Sequence, residues 1–306
     1  MPLIADVAEQ HDKRFGFLTN GTAELELLYD KCRWSEGPVW FNDSNQLVWS
    51  DIPNNRMMRW TWGGSVDVFR TNSNYSNGNT RDREGRLISC EHGARRVSRT
   101  EADGSITMIA DSYDGKRLNS PNDAVVKSDG TIWFTDPNYG IMSDYEGHKA
   151  EMEQACRGVY RVDPKNGRID RVIDDFFMPN GLAFSPDESI LYVADSSKSH
   201  FDDGRAHIRT FKVGKNNRLS GGKVFADTTE FGIPDGLRLD TDGNVWTSAG
   251  PGINVYAPSG DFLGRLRFPQ NVSNLTFGGP KRNRIFATCT HQVYSFYVTA
   301  TGIQRP

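Results

Sequence analysis

The sequence has little of what marks several common functional classes. Its four cysteines are scattered and form no Cys-x-x-Cys pair, which argues against a zinc ribbon or a redox motif: Cys32, Cys90, Cys156 and Cys289. No apolar run approaches the ~18 residues that would suggest a membrane span. A net charge of −3 gives no electrostatic footprint for nucleic acid or an anionic membrane. We therefore expect no nucleic-acid and no membrane partner.

Motifs of several enzyme classes are also missing. The sequence contains no Gly-x-Ser-x-Gly nucleophile elbow, no P-loop and no strand-associated Gly-x-Gly-x-x-Gly fingerprint of a dinucleotide site. The N-terminal segment MPLIADVAEQHDKRF lacks the apolar core of a secretory signal. We therefore expect a reduced, cytoplasmic protein.

What the sequence does contain is a sixfold repeat. In each copy a polar residue, flanked by Gly or Pro in most copies, opens an apolar strand, and a turn signal follows about eight residues later. These six residues, called openers below, are Glu36, Asn77, Asn122, Asn180, Asp235 and Asn274. Successive openers are 39 to 58 residues apart. A period near forty residues with alternating strands and turns predicts an all-β fold, a six-bladed β-propeller.

The start of the chain indicates how such a propeller would close. Residues 23–29 (AELELLY) alternate apolar and polar side chains but precede the first opener. We predict that they pair with residues 291–298 (HQVYSFYV) and complete the last blade, which removes a free sheet edge. Residues 1–22 are then a lead-in, and residues 23–306 form a single propeller domain. Residues 139–156 read as an insertion in the third blade, either a lid over the axis or a solvated loop.

Residues that open equivalent blades must converge on one axis, and here they are two carboxylates and four carboxamides. Two carboxylates at a partly buried point repel each other unless one is protonated or a cation lies between them. An all-oxygen set favours one divalent cation, Ca²⁺ before Mg²⁺ or Mn²⁺, with Zn²⁺ the poorer match by ligand type. The alternative is that these side chains are turn residues lining a channel that binds nothing.

Several motifs resemble one known family in its own order. The segments SEGPVW, NSPNDAVVKSDGTIWFTDP, PNGLAFSPD, YVADS and PDGLRLDTDGNVW are similar to the SMP-30/gluconolactonase/LRE family, also called regucalcin-like. The likeness runs from about Cys32 to Phe296, and NSPND is most similar to the bacterial gluconolactonase branch. The resemblance implies a six-bladed propeller with a divalent cation on its axis.

The resemblance also narrows the ring of openers. It implies that Glu36, Asn180 and Asp235 are the core metal ligands, and that Asn122 either binds the metal or contacts substrate. The openers Asn77 and Asn274 match no regular ligand of the family. We expect both to support the ligands or line the pocket.

The predicted reaction is hydrolysis of a sugar lactone, an aldonolactone such as glucono-1,5-lactone, to its aldonic acid. A bound cation polarises a carbonyl and lowers the pKa of a bound water. The resemblance suggests Asp235 as the general base, although a coordinated carboxylate is a weakened base, and Asp195 is an alternative or a supporting partner. The predicted substrate contacts are Arg117, Asn119, Asn122, His92 and Tyr139.

Two rival functions use the same fold. A phosphotriesterase-like hydrolase would employ the same axial cation on a different ester. A non-enzymatic Ca²⁺-binding or scaffold propeller would bind the metal without turnover. The polar neighbours Arg117 and Asn119 favour a hydroxylated substrate.

Overall fold

Six antiparallel sheets surround one axis in the computed structural model, which describes residues 1–303. In chain order, blades 1 to 3 contain Ser35–Phe41, Gln46–Asp51, Arg56–Thr61 and Val66–Thr71; Ser76–Arg81, Leu87–Glu91, Arg96–Thr100 and Ile106–Ala110; and Ala124–Val126, Ile132–Asp136, Arg157–Asp163 and Arg168–Phe176. Blades 4 to 6 contain Pro179–Phe184, Ile190–Asp195, His207–Val213 and Leu219–Asp227; Pro234–Leu239, Val245–Ala249, Gly252–Tyr256 and Phe262–Arg267; and Val272–Gly278, Arg284–Cys289 and Gln292–Tyr297. The predicted six-bladed propeller is confirmed.

Little regular structure lies outside the blades. The remaining elements are the helices Ile4–Val7, Lys13–Leu18 and Tyr139–Met142, the single 3₁₀ turns Ile52–Asn54, Ser197–Ser199 and Lys215–Asn217, and a hairpin of Ser112–Tyr113 with Lys116–Arg117. Within residues 1–303, no helix has the length and apolar character needed to cross a membrane.

The N-terminal strand closes the propeller as predicted. Glu26–Tyr29 pairs antiparallel with Gln292–Tyr297, and Leu27 lies opposite Tyr294. One pairing was not predicted: Ala8–Gln10 adds a fifth strand to blade 5 beside Phe262–Arg267. The lead-in therefore covers a sheet edge that would otherwise be free.

The hydrophobic core is divided into six clusters, one between each pair of neighbouring blades. Each second strand contributes side chains to the two clusters that flank its own blade. Trp49, Trp133 and Trp246 on three of these strands are fully buried. Ile4 and Phe15 of the lead-in belong to the cluster between blades 5 and 6. Because every blade buries apolar surface on both sides, the sheets can only be stable as a closed stack.

Carboxylates at the ends of the second strands hold the chain that leads into each opener. Asp51 Oδ1 accepts the backbone N–H of Arg33 at 2.8 Å, three residues before the opener of blade 1. Asp136 Oδ2 accepts the N–H of Asn119 in the same way at 2.8 Å. In blade 4, Asp195 Oδ2 accepts the N–H of Phe177 at 3.1 Å. The acidic residue that ends these second strands is thus a clamp that fixes where the openers begin.

A second device aims the openers. The ladder between first and second strands shifts register at the opener in blades 1, 2, 4, 5 and 6. Such bulges re-aim a side chain at the end of a strand. In blades 1, 2, 4 and 5 a glycine follows the opener and permits very close approach of the next blade. In blade 4, a Cβ on Gly181 would lie 2.2 Å from the carbonyl oxygen of Asp235 in blade 5. The ring is therefore too narrow for a side chain at this position.

Candidate functional site

The six openers lie together at one end of the axis. Five are buried, with relative exposures between 2% and 6%, and Asp235 is partly exposed. Neighbours in the ring lie close together: Asn274 Nδ2 donates to Glu36 Oε2 at 3.1 Å, and the Asn180 side chain is near enough to Asp235 to lower its pKa in part. The backbone carbonyl of Asn122 accepts the N–H of Gly78 at 2.8 Å, next to the opener of blade 2. The convergence predicted from the repeat is therefore present.

Like charges crowd this ring. Burial first, and then the negative charge of Asp123, raise the pKa of Glu36. Burial, and then the charge of Glu36, raise the pKa of Asp235 well above its usual range. Each carboxylate would therefore be stabilised by a positive charge placed between them.

One arginine partly offsets these charges. Asp123 is 1% exposed, and its Oδ2 lies 3.5 Å from a terminal guanidinium nitrogen of Arg238, which is 6% exposed. Asn274 Nδ2 lies 3.4 Å from the same Asp123 oxygen and also donates to Glu36. A chain of contacts thus runs from the Glu36 carboxylate through Asn274 and Asp123 to a buried guanidinium.

The donor set fits a hard divalent cation. The ring holds the carboxylates of Glu36 and Asp235 and the side chain of Asn180. The side-chain carboxamide of Asn122 makes no hydrogen bond to any residue between 1 and 303, whereas its backbone N–H donates to the carbonyl of Thr135. Over the same residues, no group of three or more His, Cys, Asp or Glu side chains is arranged to hold a metal ion. A cation here would therefore depend on carboxamide oxygens as well as carboxylates, as Ca²⁺ sites allow.

Tyr139 forms part of the wall beside Asn180 and Asp235. Burial raises the pKa of its hydroxyl above the usual range, and the nearby side chains of Ser199 and Asn180 offset part of this increase. The Tyr139 ring contacts that of His200 at a centroid distance of 5.3 Å. Aromatic and hydroxyl groups therefore stand next to the carboxylate that is partly open to solvent.

The other predicted substrate contacts are placed less directly. Asn119 is fully buried, and its Nδ2 donates to the backbone carbonyls of Asp136 and Cys156 at 3.1 Å and 3.0 Å. Arg117 is exposed and donates to the carbonyl of Ala94 at 3.2 Å. His92 is fully buried behind Asn77, with 3.2 Å between Asn77 Nδ2 and His92 Nε2.

Asp195 is held in its clamp by several donors. Besides Phe177, the backbone N–H groups of Met178 and Ser197 donate to Asp195 Oδ1 at 3.3 Å and 3.0 Å. This arrangement accounts for the acidic ending of the second strand in blade 4 by its structural role.

Sequence reasoning missed three residues whose charges act on the ring: Asp123, Arg238 and Glu146, the last of which contributes to the raised pKa of Glu36 and Asp235. Asp123 follows its opener at the position where blades 1, 2, 4 and 5 have glycine, and Arg238 is the one charged residue among the six that lie three positions after an opener. An alignment of the six repeats would have shown both departures. Glu146 lies in the insertion of blade 3, which has no counterpart in the other blades, so the repeat gives no signal for it.

The family model described as SMP-30/Gluconolactonase/LRE-like region matches residues 34–291. The chain therefore belongs to this family, and the resemblance stated from the motifs is confirmed. A solved structure of a gluconolactonase from Xanthomonas campestris superposes with a TM-score of 0.89 at 37% identity, covering 96% of this chain and 95% of that one.

Two relatives at the sequence level carry lactonase names. A gluconolactonase from Zymomonas mobilis is 32% identical over 308 residues, covering 92% of this chain and 83% of the relative. A pentonolactonase from Haloferax volcanii is 27% identical over 266 residues, covering 84% of this chain and 81% of the relative.

Proposed function

We propose that the protein is a metal-dependent lactonase that hydrolyses an aldonolactone, such as glucono-1,5-lactone, to its aldonic acid. Its class, a hydrolase of cyclic esters, follows from the family and from relatives named for that activity. The observation that carries the metal dependence is the ring itself. Burial, and then the negative charge of Glu36, raise the pKa of Asp235 in a ring whose other four members are carboxamides.

Glu36, Asn180 and Asp235 are the proposed ligands, with Asn122 as a ligand or a substrate contact. The chemistry that a bound divalent cation supplies is polarisation of a carbonyl and a lowered pKa for a bound water. We favour Ca²⁺ because the proposed donors are all oxygens; Mg²⁺ or Mn²⁺ comes next, and Zn²⁺ is the poorer match by ligand type.

We assign to Asp235 the transfer of the proton in the reaction. This assignment is supported by its exposure, since it is the one partly exposed opener, and by its raised pKa, which suits a group that accepts a proton. In the proposed step, a water oxygen bonds to the lactone carbonyl carbon while an Asp235 oxygen takes a water proton. The ring C–O bond then breaks, and the proton passes to the leaving ring oxygen, which becomes a hydroxyl. The new carboxylic acid loses its own proton to solvent.

Tyr139 lies beside Asn180 and Asp235, whose side chains both affect the pKa of its hydroxyl. The high pKa of Tyr139 keeps the hydroxyl protonated at neutral pH, so that it can donate a hydrogen bond.

Chelation tests the proposal directly. Acid release from glucono-1,5-lactone is followed in a pH-stat with purified protein, with protein treated with EDTA, and with treated protein to which each divalent cation is returned separately. Activity should fall to the uncatalysed rate after chelation and return with Ca²⁺. Full activity in protein shown to be metal-free would refute the metal dependence.

The same samples separate the rival functions. A panel containing a phosphotriester and the lactone should show turnover of the lactone. Turnover of the phosphotriester alone would support a phosphotriesterase. Calcium binding in calorimetry with neither substrate turned over would support a non-enzymatic propeller.

We also propose the cytoplasm as the location. All four cysteines are free thiols, and three of them are buried, which suits a reducing compartment. Thiol counting in protein isolated from its native cells, with alkylation before lysis, should find four reduced cysteines.

A further inference from the structure

Backbone contacts place the opener Asn77 between its neighbours in the ring. A Cβ on Gly37, which follows the opener Glu36, would lie 2.1 Å from the carbonyl oxygen of Asn77. A Cβ on Gly78 would lie 2.4 Å from the carbonyl oxygen of the opener Asn122. Asn77 is therefore buried between the openers of blades 1 and 3.

A fully buried histidine contacts the side chain of Asn77. His92 comes directly after the second strand of blade 2, and its Nε2 lies 3.2 Å from Asn77 Nδ2. On the other side of the imidazole, Nδ1 lies 3.1 Å from the backbone carbonyl of Glu146 in the insertion of blade 3. A Cβ on Gly140 would lie 2.4 Å from the His92 Cβ, so the imidazole has little room to turn.

These two contacts determine which way the Asn77 amide is turned. A carbonyl oxygen only accepts hydrogen bonds, so His92 Nδ1 carries a proton. Over residues 1–303 the imidazole has these two polar contacts and no carboxylate partner, and burial without a counter-charge favours its neutral form. Nε2 is then an acceptor, and Asn77 turns its amide nitrogen towards it.

The oxygen of the same amide is left on the side of the axis. The second strand of a propeller blade lies farther from the axis than the first, so Asn77 Nδ2 points outwards to His92. Asn77 Oδ1 makes no hydrogen bond to any residue between 1 and 303. The ring therefore holds a buried amide oxygen that is fixed in direction and has no protein donor.

The opener Asn274 shows what a fully engaged amide in this ring looks like. Its Nδ2 donates to Glu36 Oε2 at 3.1 Å, and its Oδ1 accepts the backbone N–H of Leu275 at 2.8 Å. Asn274 thus uses both ends of its amide within the protein. Of the two openers that match no regular ligand of the family, only Asn77 keeps an oxygen available.

We propose that Asn77 is a further oxygen donor of the cation site, and that His92 is the positioning residue that turns this oxygen towards the axis. This inference rests on the proposed metal-dependent function. A carboxamide oxygen adds a ligand without adding negative charge to a ring that already contains Glu36 and Asp235. Because Ca²⁺ takes about 6–8 oxygens whereas Mg²⁺ usually keeps several waters, an additional protein oxygen favours Ca²⁺.

The tautomer of His92 is the first test. Full-length protein labelled with ¹⁵N-histidine is studied by long-range proton–nitrogen NMR at pH 7, with and without Ca²⁺, and the His92 signals are assigned by their loss in His92→Gln. They should show a protonated Nδ1 and an unprotonated Nε2. The opposite tautomer or an imidazolium would turn the Asn77 oxygen towards His92, which would overturn the inference.

Calorimetric titration of Ca²⁺ and Mg²⁺ into EDTA-treated, dialysed full-length protein is the second test. Asn77→Leu keeps the size of the side chain but removes the oxygen, so Ca²⁺ affinity should fall about tenfold and Mg²⁺ affinity about threefold or less. His92→Leu should weaken Ca²⁺ binding by a similar factor. His92→Gln should stay within about threefold of wild type, because its amide group accepts from Asn77 and donates to the Glu146 carbonyl.

His148→Leu is the matched control. His148 is an exposed histidine of the same insertion, and its ring lies 5.2 Å from that of Tyr75. It contacts no opener, so its replacement should leave Ca²⁺ affinity unchanged. The tautomer is measured on the wild-type protein, which keeps the inference testable if a leucine variant folds poorly.

Two calorimetric outcomes would overturn the inference. Unchanged Ca²⁺ affinity in Asn77→Leu, or an equal loss for Ca²⁺ and Mg²⁺, would mean that this side chain gives no oxygen to the cation. Equal losses in His92→Gln and His92→Leu would mean that His92 does not act through its hydrogen bonds. If the wild-type protein binds no Ca²⁺, the proposed metal dependence itself fails, and that result is distinct because it is seen before any variant is made.

Discussion

The two ends of the propeller axis are built from the same six strands but treat charge in opposite ways. Beyond the ring of openers, the channel widens into a cavity of about 960 Å³ whose lining includes Arg81 and Asp187. There charges have partners: Arg81 pairs with Asp43 at 3.0 Å, and a hydrogen bond from Ser185 lowers the pKa of Asp187. At the ring end, carboxylates face carboxylates, and their pKa values are raised.

This difference in charge pairing favours the ring end as the place of the proposed function. Arg81 and Asp187 beyond the ring already have an ion-pair partner or a hydrogen-bond donor, so neither of these charges requires a ligand. Unpaired like charges under burial cost folding free energy, and such costs persist where a ligand or a reaction makes use of them. We therefore expect changes to the charges and the packing near the ring to have larger effects than matched changes elsewhere in the protein.

The largest effect is expected from Glu36→Gln. Lactonase activity should fall by about 10³-fold or more, because a charged ligand of the proposed cation becomes neutral. Stability of the metal-free protein should change in the opposite direction. Because the pKa of Glu36 is raised in the folded protein, wild type loses folding free energy as pH rises above the usual carboxyl pKa. The glutamine variant has no such loss, so at alkaline pH it should unfold at a higher urea concentration than wild type.

Activity assays and urea titrations at pH 6 and pH 9 in EDTA check this pair of opposite changes. Asp187→Asn at the other end of the channel is the control and should leave activity within about twofold. A Glu36→Gln protein that is less stable than wild type at pH 9 would mean that the carboxylate is structurally needed.

The second prediction concerns the narrowness of the ring. Gly181→Ala should destabilise the protein by about 3 kcal/mol or more, because backbone atoms of blade 5 cannot move away from the new Cβ. Gly21→Ala is the control, since its Cβ would meet the Ala5 Cβ at an ordinary 3.5 Å. Chemical denaturation of both variants measures the difference. Equal midpoints would show that the blades can separate at the ring.

The sequence predicts this architecture well where six copies repeat it. The openers are predictable because a period of about forty residues fixes which positions are equivalent. The closing strand is predictable because residues 23–29 alternate apolar and polar side chains before the first opener. The strand Ala8–Gln10 was missed because it belongs to no repeat and pairs with a distant blade only in the folded protein.

The candidate site was predicted in part for the same reason. Repetition placed Glu36 and Asp235 in one ring, but it treats every copy alike, and function resides in the differences between copies. Asp123 replaces a glycine and reaches across to Arg238, a contact that depends on three-dimensional distances. Side chains from an insertion, such as Glu146, have no repeat position from which their direction can be inferred.

The third prediction compares two clamps of the same design. Asp51 and Asp136 each accept a backbone N–H three residues before an opener, but Asp51 also pairs with Arg56 at 2.9 Å. Asp136 has no ion pair within residues 1–303, and burial raises its pKa to about 7. Asp136→Asn keeps the acceptor for the N–H and removes the buried charge, whereas Asp51→Asn breaks an ion pair.

The sign of the pH effect follows from the raised pKa of Asp136. Its contribution to stability is fully present below the usual carboxyl pKa and is lost as pH rises towards 7. In EDTA, Asp136→Asn should therefore gain on the order of 2 kcal/mol over wild type at pH 7 and little at pH 4. Asp51→Asn should be destabilised at pH 7. Thermal and urea unfolding across this range would contradict the prediction if both variants behaved alike.

The smallest effect is expected at the contact between the ring and its one guanidinium. Asp123→Asn leaves Arg238 as a buried cation near the proposed metal position, so Ca²⁺ affinity should fall about tenfold. This magnitude is expected for repulsion between the guanidinium and a Ca²⁺ ion several ångströms away at an effective dielectric constant of ~20. Arg238→Met removes the positive charge and should not weaken Ca²⁺ binding. The double variant should return to within about threefold of wild type, because both members of the pair are absent.

Calorimetric titration of Ca²⁺ into the four proteins measures this cycle without reference to turnover. The carboxamide of Asn274 bridges Asp123 and Glu36, so losses that merely add would mean that Asp123 acts by holding Asn274 in place. Recovery in the double variant would instead show that Arg238 and Asp123 set the charge that the ring presents to a cation. In that case the pairing of Asp123 with Arg238 leaves Glu36 and Asp235 as the carboxylates available to a divalent ion.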